Sequence, residues 1–225
     1  MPSPRSAVGE AAARRDPFVA WPGWPHLRTT ALLSLANTLW FLAVYGGMDA
    51  LTARRSLRVP IHCAAELRIP FIPAMTAFYM SLYLMFALAP FVLRTRREIR
   101  AFILTLAVAI LCGGVGFLLI PAELAFAPPR EADLGAWAGL FHLADTLNLT
   151  YNLVPSLHVT FAAVCASVLG AHASTAGKVL LWTWAVLIAA STVLIHQHYL
   201  LDVATGWMLA VVAVRFVYRR LASNP

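Results

Sequence analysis

The chain has 225 residues, of which 60% are hydrophobic and 12% are charged, and its formal net charge is +7. This composition excludes an ordinary soluble domain, in which about a quarter of the residues are charged, and the length leaves no room for a sizeable second domain. The basic residues lie between apolar runs and form no surface with interleaved aromatic residues, so nucleic acid is not an expected partner.

Residues 1–26 predict a cytoplasmic tail, because they contain proline, arginine and small residues but no apolar core, and we expect no cleaved signal peptide. Six later segments approach the roughly 20 apolar residues that a membrane-spanning helix needs. They lie near 29–48, 72–93, 101–120, 155–171, 179–196 and 199–217. The sequence therefore predicts an all-α integral membrane bundle of six transmembrane helices over residues 27–220, followed by a short C-terminal tail, 221–225.

The arginines predict the orientation of this bundle. With the N-terminus in the cytoplasm, the inner segments hold 12 of the 17 basic residues and the outer segments hold five, which favours both termini inside. Four arginines of the first outer loop, residues 49–70, run against this bias. The richness in arginine and alanine is typical of a GC-rich bacterial source, so we expect the plasma (bacterial inner) membrane.

Two histidines lie just inside apolar segments. His158 follows Pro155-Ser156-Leu157 at the start of the fourth segment, and His198 lies between the fifth and the sixth. Because the chain crosses the bilayer twice between them, both are expected at the same face, which is the outer face in the predicted orientation. Ionisable residues at membrane depth are costly and usually face a protein interior or an aqueous cavity where they have a function.

His198 and Asp202 are four residues apart, which places them on one face of a helix. A carboxylate there holds the proton on one imidazole nitrogen and leaves the other nitrogen free to attack an electrophile. His158 follows a Pro-Ser pair that suits the first turn of a helix, where unpaired backbone N–H groups can bind an anion. The pattern favours phosphoryl transfer through a phosphohistidine on His198, with His158 as the acid and base.

Other polar residues admit two interpretations each. Ser156 and Ser191 are candidate phosphate ligands, and each is equally suited to helix capping or packing. The histidines His158, His196 and His198 could instead hold a metal, since imidazole suits zinc, copper or iron, but no second metal-type cluster supports this. We therefore predict no metal and no cofactor.

Two motifs resemble those of the type 2 phosphatidic acid phosphatase superfamily. Pro155-Ser156-Leu157-His158 resembles its second motif, Pro-Ser-x-His, and Ser191 to Asp202 resembles its third, Ser-Arg-x5-His-x3-Asp, with the spacing intact. The resemblance implies a metal-independent lipid phosphatase or phosphotransferase of six helices. It also implies that His198 is the nucleophile, Asp202 its partner and His158 the acid and base.

The sequence departs from this family at its arginines. Thr192 stands where the third motif has arginine, and the first motif, Lys-x6-Arg-Pro, is absent. The nearest substitute is Arg130, in the loop that leads towards His158, where a guanidinium can neutralise a transferring phosphoryl group. The loss of arginines, together with His198-Tyr199-Leu200-Leu201-Asp202, resembles the branch of inositol phosphorylceramide synthase and sphingomyelin synthase, which transfers a phosphoalcohol head group between lipids.

These patterns define the expected partners. They are the lipid bilayer, a phospholipid or lipid phosphate substrate and, for a transfer reaction, an acceptor alcohol lipid; the sequence makes no prediction of oligomeric state. The alternative is a non-enzymatic six-helix transporter or lipid-binding membrane protein that uses the histidines as a proton relay. An inverted repeat or a pair of broken helices, typical of such carriers, is not evident in the sequence. We expect Tyr199 to be an aromatic anchor at the membrane interface.

Overall fold

The computed structural model describes residues 17–223, and every regular element in that range is helical, as predicted. In chain order the α-helices are α1 (Trp24–Ala53), α2 (Thr76–Met80), α3 (Leu82–Val92), α4 (Arg96–Leu119), α5 (Glu131–Leu134), α6 (Ala138–Leu147), α7 (Leu157–Gly170), α8 (Thr175–Leu194), α9 (Leu200–Ala213) and α10 (Arg219–Ser223). Short 3-10 helices occur at Glu66–Arg68, Pro73–Met75 and Gly135–Trp137, and a π-helical turn, Val214–Tyr218, joins α9 to α10. Most of the predicted N-terminal tail, residues 1–16, lies outside the described residues.

Within residues 17–223, five helical stretches are long and apolar enough to cross a membrane. They are Trp24–Ala53, Pro73–Val92, Arg96–Leu119, Thr175–Leu194 and Leu200–Ser223. The remaining predicted span, near 155–171, corresponds to α7, which has only 14 residues. At 1.5 Å per residue α7 is about 21 Å long, shorter than the ~30 Å hydrocarbon core. The predicted count of six spans is therefore not confirmed.

Helix α7 forms the centre of the bundle. Twelve of its 14 residues are buried, and it packs against α3, α4, α8 and α9. A helix that is apolar on all sides is covered either by other helices or by lipid, and α7 is covered by helices. Only His158 and Ser167 of α7 are partly exposed. The imidazole of His158, in the first turn of the helix, is therefore partly accessible.

Helices α7 and α9 start at the same end of the bundle. The backbone N–H of Ser156 donates to the carbonyl of Asp202 at 3.0 Å. One turn further along, the Thr160 hydroxyl donates to the carbonyl of Gly206 at 3.1 Å. Helix α8, which lies between them in the sequence, runs in the opposite direction, and the carbonyl of Leu194 at its end accepts from Ile72 N. We call the end at which α7 and α9 begin the site end.

Two glycines allow the first turn of α7 to lie this close to its neighbours. A Cβ at Gly206 of α9 would lie 2.6 Å from the carbonyl oxygen of Ser156. A Cβ at Gly116 of α4 would lie 2.7 Å from the carbonyl oxygen of Val154. Real Cβ atoms do not approach an oxygen this closely, so any larger residue at either position would displace the segment that contains His158.

Arginines of the first loop hold the site end together. The Arg55 guanidinium hydrogen-bonds to the carbonyl of Leu118, in the last turn of α4. Arg58 donates to the carbonyl of Arg55 at 2.8 Å, pairs with Glu123 at 3.3 Å and lies over the ring of Tyr151. Helix C-termini leave carbonyls unpaired and favour cations. These contacts give Arg55 and Arg58 a structural role, although both lie in the loop whose arginines run against the charge bias of the sequence.

Candidate active site

His198 and Asp202 form a buried pair at the start of α9. The Nδ1 atom of His198 lies 3.1 Å from Oδ2 of Asp202, whose side chain is fully buried. A carboxylate only accepts hydrogen bonds when ionised, so this contact places the imidazole proton on Nδ1 and leaves Nε2 with a free lone pair. The free nitrogen is the one that can attack an electrophile.

The way in which this pair forms differs from the sequence prediction. Helix α9 begins at Leu200, so His198 precedes the helix and does not share a helical face with Asp202. Asp202 instead folds back over the start of α9, where its Oδ2 also accepts from the backbone N–H of Tyr199 at 2.9 Å. A carboxylate at the third helical position caps the unpaired N–H groups of a helix start in this way.

A tight backbone turn presents His198 to the site end. The carbonyl of Thr192 accepts from the N–H groups of both Gln197 and His198, at 2.9 and 3.0 Å. His196 within this turn has a φ of 59°, in the left-handed region. The side chain of Thr192, at the position of the motif arginine, is fully buried and donates to the carbonyl of Ala189. It does not replace a phosphate clamp.

His158 is held by Tyr79 of α2. The Nε2 atom of His158 lies 3.0 Å from the carbonyl oxygen of Tyr79. The two rings are stacked, with centroids 3.7 Å apart and planes 11° from parallel. His158 and His198 both lie at the site end, because Ser156 and Asp202 beside them are joined by a main-chain hydrogen bond.

The other predicted phosphate ligands have different environments. The Ser156 oxygen caps α7 by accepting from Val159 N at 3.4 Å. Ser191 is fully buried and donates its hydroxyl to the carbonyl of Ile188, within α8. Arg130 is exposed and makes a two-pronged ion pair with Asp133, at 2.8 and 2.9 Å. The structure thus places Ser156 beside His158, while Arg130 is engaged at the surface.

A cleft of about 560 Å³ opens beside the turn that presents His198. It is lined by Phe71, Ala127, Pro128, Pro129, Arg130, Asp133 and His196. The His196 ring stacks on Phe126 at 4.0 Å, and its Nε2 lies 2.9 Å from the carbonyl of Ile69. His196 therefore fixes the loop after α4 to the loop before α2.

Sequence reasoning missed a polar network between the two histidines. The Tyr79 hydroxyl donates to Asn148 Oδ1 at 2.6 Å, and Asn148 Nδ2 donates to Gln197 Oε1 at 3.0 Å. The Gln197 amide in turn donates to Asp145 at 3.3 Å. Gln197 lies inside the third motif, at a position the motif does not specify. Tyr79 and Asn148 lie outside both motifs.

Glu66 was also missed, and it supports the same helix start. Its carboxylate accepts from the backbone N–H of Leu200 at 2.7 Å and from that of Cys63 at 2.8 Å. Burial acts to raise the pKa of Glu66, but the hydrogen bonds to its carboxylate outweigh burial and leave the pKa below its ordinary value. Two carboxylates, Glu66 and Asp202, therefore cap the start of α9.

The prediction that Tyr199 anchors at the membrane interface is wrong. The Tyr199 side chain is fully buried, and its ring stacks on Phe126 and His62 at centroid distances of 5.1 and 4.9 Å. Its hydroxyl accepts from the backbone N–H of Ala125. The sequence pattern did not distinguish an aromatic residue at the bilayer surface from one covered by the loop after α4.

The histidines of the site do not form a metal cluster with one another. Within residues 17–223, no group of three or more histidine, cysteine, aspartate or glutamate side chains is arranged to hold a metal ion. The three-histidine alternative required His158, His196 and His198 to converge. His158 and His196 instead bond to different backbone carbonyls, those of Tyr79 and Ile69.

Comparison with known protein families identifies the fold. Residues 68–216, about two thirds of the chain, match the PAP2 superfamily. The chain belongs to the PAP2 superfamily. The match runs from the 3-10 helix Glu66–Arg68 to the π-helical turn after α9, so it includes both histidines and Asp202 and leaves out α1. Comparisons with curated proteins and with solved structures find no match.

Membership of the PAP2 superfamily and the apolar helices together make this a multi-pass membrane protein. Membership further indicates an enzyme of the phosphatase type, with activity as a lipid phosphatase or phosphotransferase on substrates in the bilayer. The resemblance of the two histidine motifs to this superfamily is thereby confirmed at the level of the superfamily.

Proposed function

We propose that the protein transfers the phosphoryl-bearing group of a lipid through a phosphohistidine formed on His198. The observation that carries this proposal is the buried contact of 3.1 Å between His198 Nδ1 and Asp202 Oδ2, which leaves Nε2 as a free nucleophile. The carboxylate also stabilises the positive charge that the ring acquires when Nε2 bonds to phosphorus.

The proposed reaction has two steps. In the first, His198 Nε2 bonds to phosphorus, the ester P–O bond breaks, and His158 gives a proton to the departing alkoxide. In the second, His158 takes a proton from water or an acceptor alcohol, the resulting oxygen bonds to phosphorus, and the P–N bond breaks. The enzyme returns to its first state. Both steps use protein groups only, and positioning with electrostatic stabilisation supplies most of the rate.

The phosphate oxygens are proposed to bind at the first turn of α7. The Ser156 hydroxyl accepts from Val159 N, so its own O–H proton is free to donate to a phosphate oxygen. The helix start adds backbone N–H groups and a favourable dipole. Ser191 uses its proton on Ile188 and serves α8 in this proposal. In this proposal Arg130 binds a phosphate oxygen only when the substrate displaces Asp133 from its exposed ion pair with Arg130.

The substrate is proposed to be a phosphodiester lipid, with transfer of its phosphoalcohol head group to an acceptor alcohol. Of the five arginines in the loops predicted to be outside, three are already engaged: Arg55, Arg58 and Arg130 are bonded to Leu118, Glu123 and Asp133 respectively. A phosphodiester has one negative charge, whereas a phosphomonoester has about 1.5 to 2 at neutral pH. A site built from histidines and hydroxyls suits the smaller charge, in accord with the inositol phosphorylceramide synthase pattern of the sequence.

The deciding experiment uses purified wild-type protein and His198→Ala in detergent, with labelled phosphomonoester and phosphodiester lipids. Each substrate is tested with and without diacylglycerol, ceramide or an inositol-bearing lipid as acceptor. We expect wild type to form a new labelled lipid only when an acceptor is present, and His198→Ala to form none. Acid-labile, base-stable label on wild-type protein alone would identify the phosphohistidine.

Four outcomes contradict parts of this proposal. Free phosphate from a monoester, with no acceptor needed, would replace transfer by hydrolysis. Substantial turnover by His198→Ala would refute the nucleophile. If wild-type protein turns over none of the substrates, the non-enzymatic alternative would be favoured. Inhibition by a chelator, reversed by added metal, would refute the metal-free chemistry.

The site end is proposed to face the outside of the plasma membrane, with both chain termini in the cytoplasm. Cys63 is a suitable reporter of this orientation because its side chain is exposed at the site end. Its backbone N–H donates to Glu66, whose carboxylate also accepts from Leu200 N at the start of α9. In a Cys112→Ala background, the remaining Cys165 is buried in α7. A membrane-impermeant maleimide should label Cys63 in intact cells, and labelling only in inverted vesicles would reverse the orientation.

A further inference from the structure

The contacts of His158 assign its two nitrogens to different tasks. Its Nε2 atom lies 3.0 Å from the carbonyl oxygen of Tyr79, and a carbonyl can only accept a hydrogen bond. The proton of the neutral ring is therefore on Nε2. This leaves Nδ1 as the nitrogen that can exchange a proton with a substrate.

The Tyr79 carbonyl lies beside a break between α2 and α3, where the regular helix is interrupted at Ser81. The Ser81 N–H points to this carbonyl as well as to those of Ala77 and Phe78, and a carbonyl oxygen has a second lone pair that can accept from His158. Trp184 of α8 stabilises the break by donating to Ser81 Oγ at 2.7 Å, and Ser81 Oγ donates to the carbonyl of Phe78 at 2.6 Å. The interruption is thus fixed from a neighbouring helix.

The Tyr79 ring is fixed as firmly as its carbonyl. Its side chain is 2% exposed, and its hydroxyl donates to Asn148, which bonds to Gln197 next to His198. The ring face lies parallel to His158 at 3.7 Å. An aromatic face attracts a cation in this position, so it offsets part of the cost that burial imposes on the imidazolium form, which must exist before the proton is given away.

We propose that Tyr79 is a positioning residue for His158, which holds one proton on Nε2 and makes Nδ1 the acid and base. This inference rests on the proposed function. In the first step the imidazolium keeps its Nε2 proton on the Tyr79 carbonyl and gives its Nδ1 proton to the leaving alkoxide. In the second step Nδ1 takes the proton of water or alcohol. Asn148 and Gln197 keep Tyr79 in register with the turn that presents His198.

The test compares two leaving groups. Octyl p-nitrophenyl phosphate has a leaving group that departs without protonation, whereas dioctyl phosphate requires a proton on its alkoxide; the matching monoesters form a second pair. General acid catalysis contributes roughly 10²- to 10⁴-fold. We expect Tyr79→Leu to lower kcat by about 10²-fold on the alkyl ester and by less than about 10-fold on the aryl ester. KM should change little for either.

Two further variants make the test independent of folding. Asn148→Ala, in the loop after α6, removes the partner of the Tyr79 hydroxyl and should give a smaller loss with the same selectivity for the alkyl ester. Tyr83→Leu is the matched control one turn along in α3, where the side chain is 44% exposed. It should leave kcat and the dependence on leaving group unchanged.

The outcomes separate this inference from the proposed function. Equal losses on both esters in Tyr79→Leu and Asn148→Ala, or no loss in either, would overturn the positioning role. His158→Ala is the benchmark and should show the strongest dependence on the leaving group. If His158→Ala shows none, or if wild type turns over neither ester, the proposed function itself fails. An altered acid limb in the pH profile of Tyr79→Leu on the alkyl ester would support the positioning role, and an unaltered limb would contradict it.

Discussion

Replacing Gly206 by alanine is the smallest change that tests how the site is held together. The new Cβ would lie 2.6 Å from the carbonyl oxygen of Ser156 and 3.1 Å from Cβ of Val159, both of which belong to the start of α7. Ordinary van der Waals contact begins near 3.4 Å, so the helices must separate locally by about 0.8 Å, the difference between 3.4 and 2.6 Å. Neither contact involves the end of a flexible side chain.

The expected loss of stability is small and the expected loss of rate is large. Alanine favours a helix interior over glycine by about 1 kcal/mol, while overpacking costs about 1–3 kcal/mol. The net destabilisation is therefore about 0–2 kcal/mol. The displaced oxygen, however, is the carbonyl oxygen of Ser156, and the N–H of the same residue donates to the carbonyl of Asp202. A misplacement of about 1 Å costs roughly 10²-fold in rate.

The assay measures turnover and thermal unfolding in the same detergent for wild type, Gly206→Ala and Gly47→Ala. Gly47 of α1 is the matched control, because a Cβ there would meet no atom within 4 Å. Gly47→Ala should keep wild-type turnover and an equal or slightly higher Tm. If Gly206→Ala behaves like this control, the close approach of α7 and α9 does not determine the activity.

Two further predictions concern the carboxylates at the start of α9. Asp202→Asn should fold, because an amide oxygen still accepts from Tyr199 N, but its turnover should fall by roughly 10²- to 10⁴-fold since the His198 tautomer is no longer fixed; near-wild-type kinetics would remove Asp202 from the proposed mechanism. The lowered pKa of Glu66 means that its contribution to stability is complete at neutral pH and is lost as the pH falls through the folded-state value, below about 4.5. The difference in Tm between wild type and Glu66→Gln should therefore shrink between pH 7 and pH 3.5, and a difference independent of pH would contradict the role of the charged carboxylate at Leu200.

The sequence predicted those features that depend on local pattern. Apolar runs of membrane length identified five stretches that the structure also shows as long apolar helices. The run near 155–171 has the same composition but forms the 14-residue α7, because Ser156 is an extended N-cap that starts the helix at Leu157 and a turn follows Gly170. Hydropathy measures apolarity and does not distinguish a helix covered by other helices from one covered by lipid.

The parts of the site that the sequence did not predict depend on contacts between distant residues. Tyr79 lies 79 positions from the histidine it contacts, and Glu66 lies 134 positions from the N–H it accepts from. The break at Ser81 falls inside an apolar run that has neither glycine nor proline at that point, and Trp184 stabilises it from another helix. Motif spacing correctly paired His198 with Asp202 but misassigned the geometry, because the helix begins at Leu200 and His198 therefore precedes it.

Contacts to main-chain carbonyls connect the two histidine motifs. Ser156 N bonds to Asp202 O, the Thr160 hydroxyl bonds to Gly206 O, and glycines at 116 and 206 permit this approach. Substitution of a phosphate-binding side chain therefore leaves the relative placement of His158 and His198 intact. This independence accounts for a PAP2 superfamily chain that retains both histidines although Thr192 occupies the place of the motif arginine. Under the proposed function, contacts to the main chain set the relative positions of His158, the acid and base, and His198, the nucleophile. The side chains that bind phosphate, and with them the preferred charge of the substrate, can therefore change without moving the two histidines.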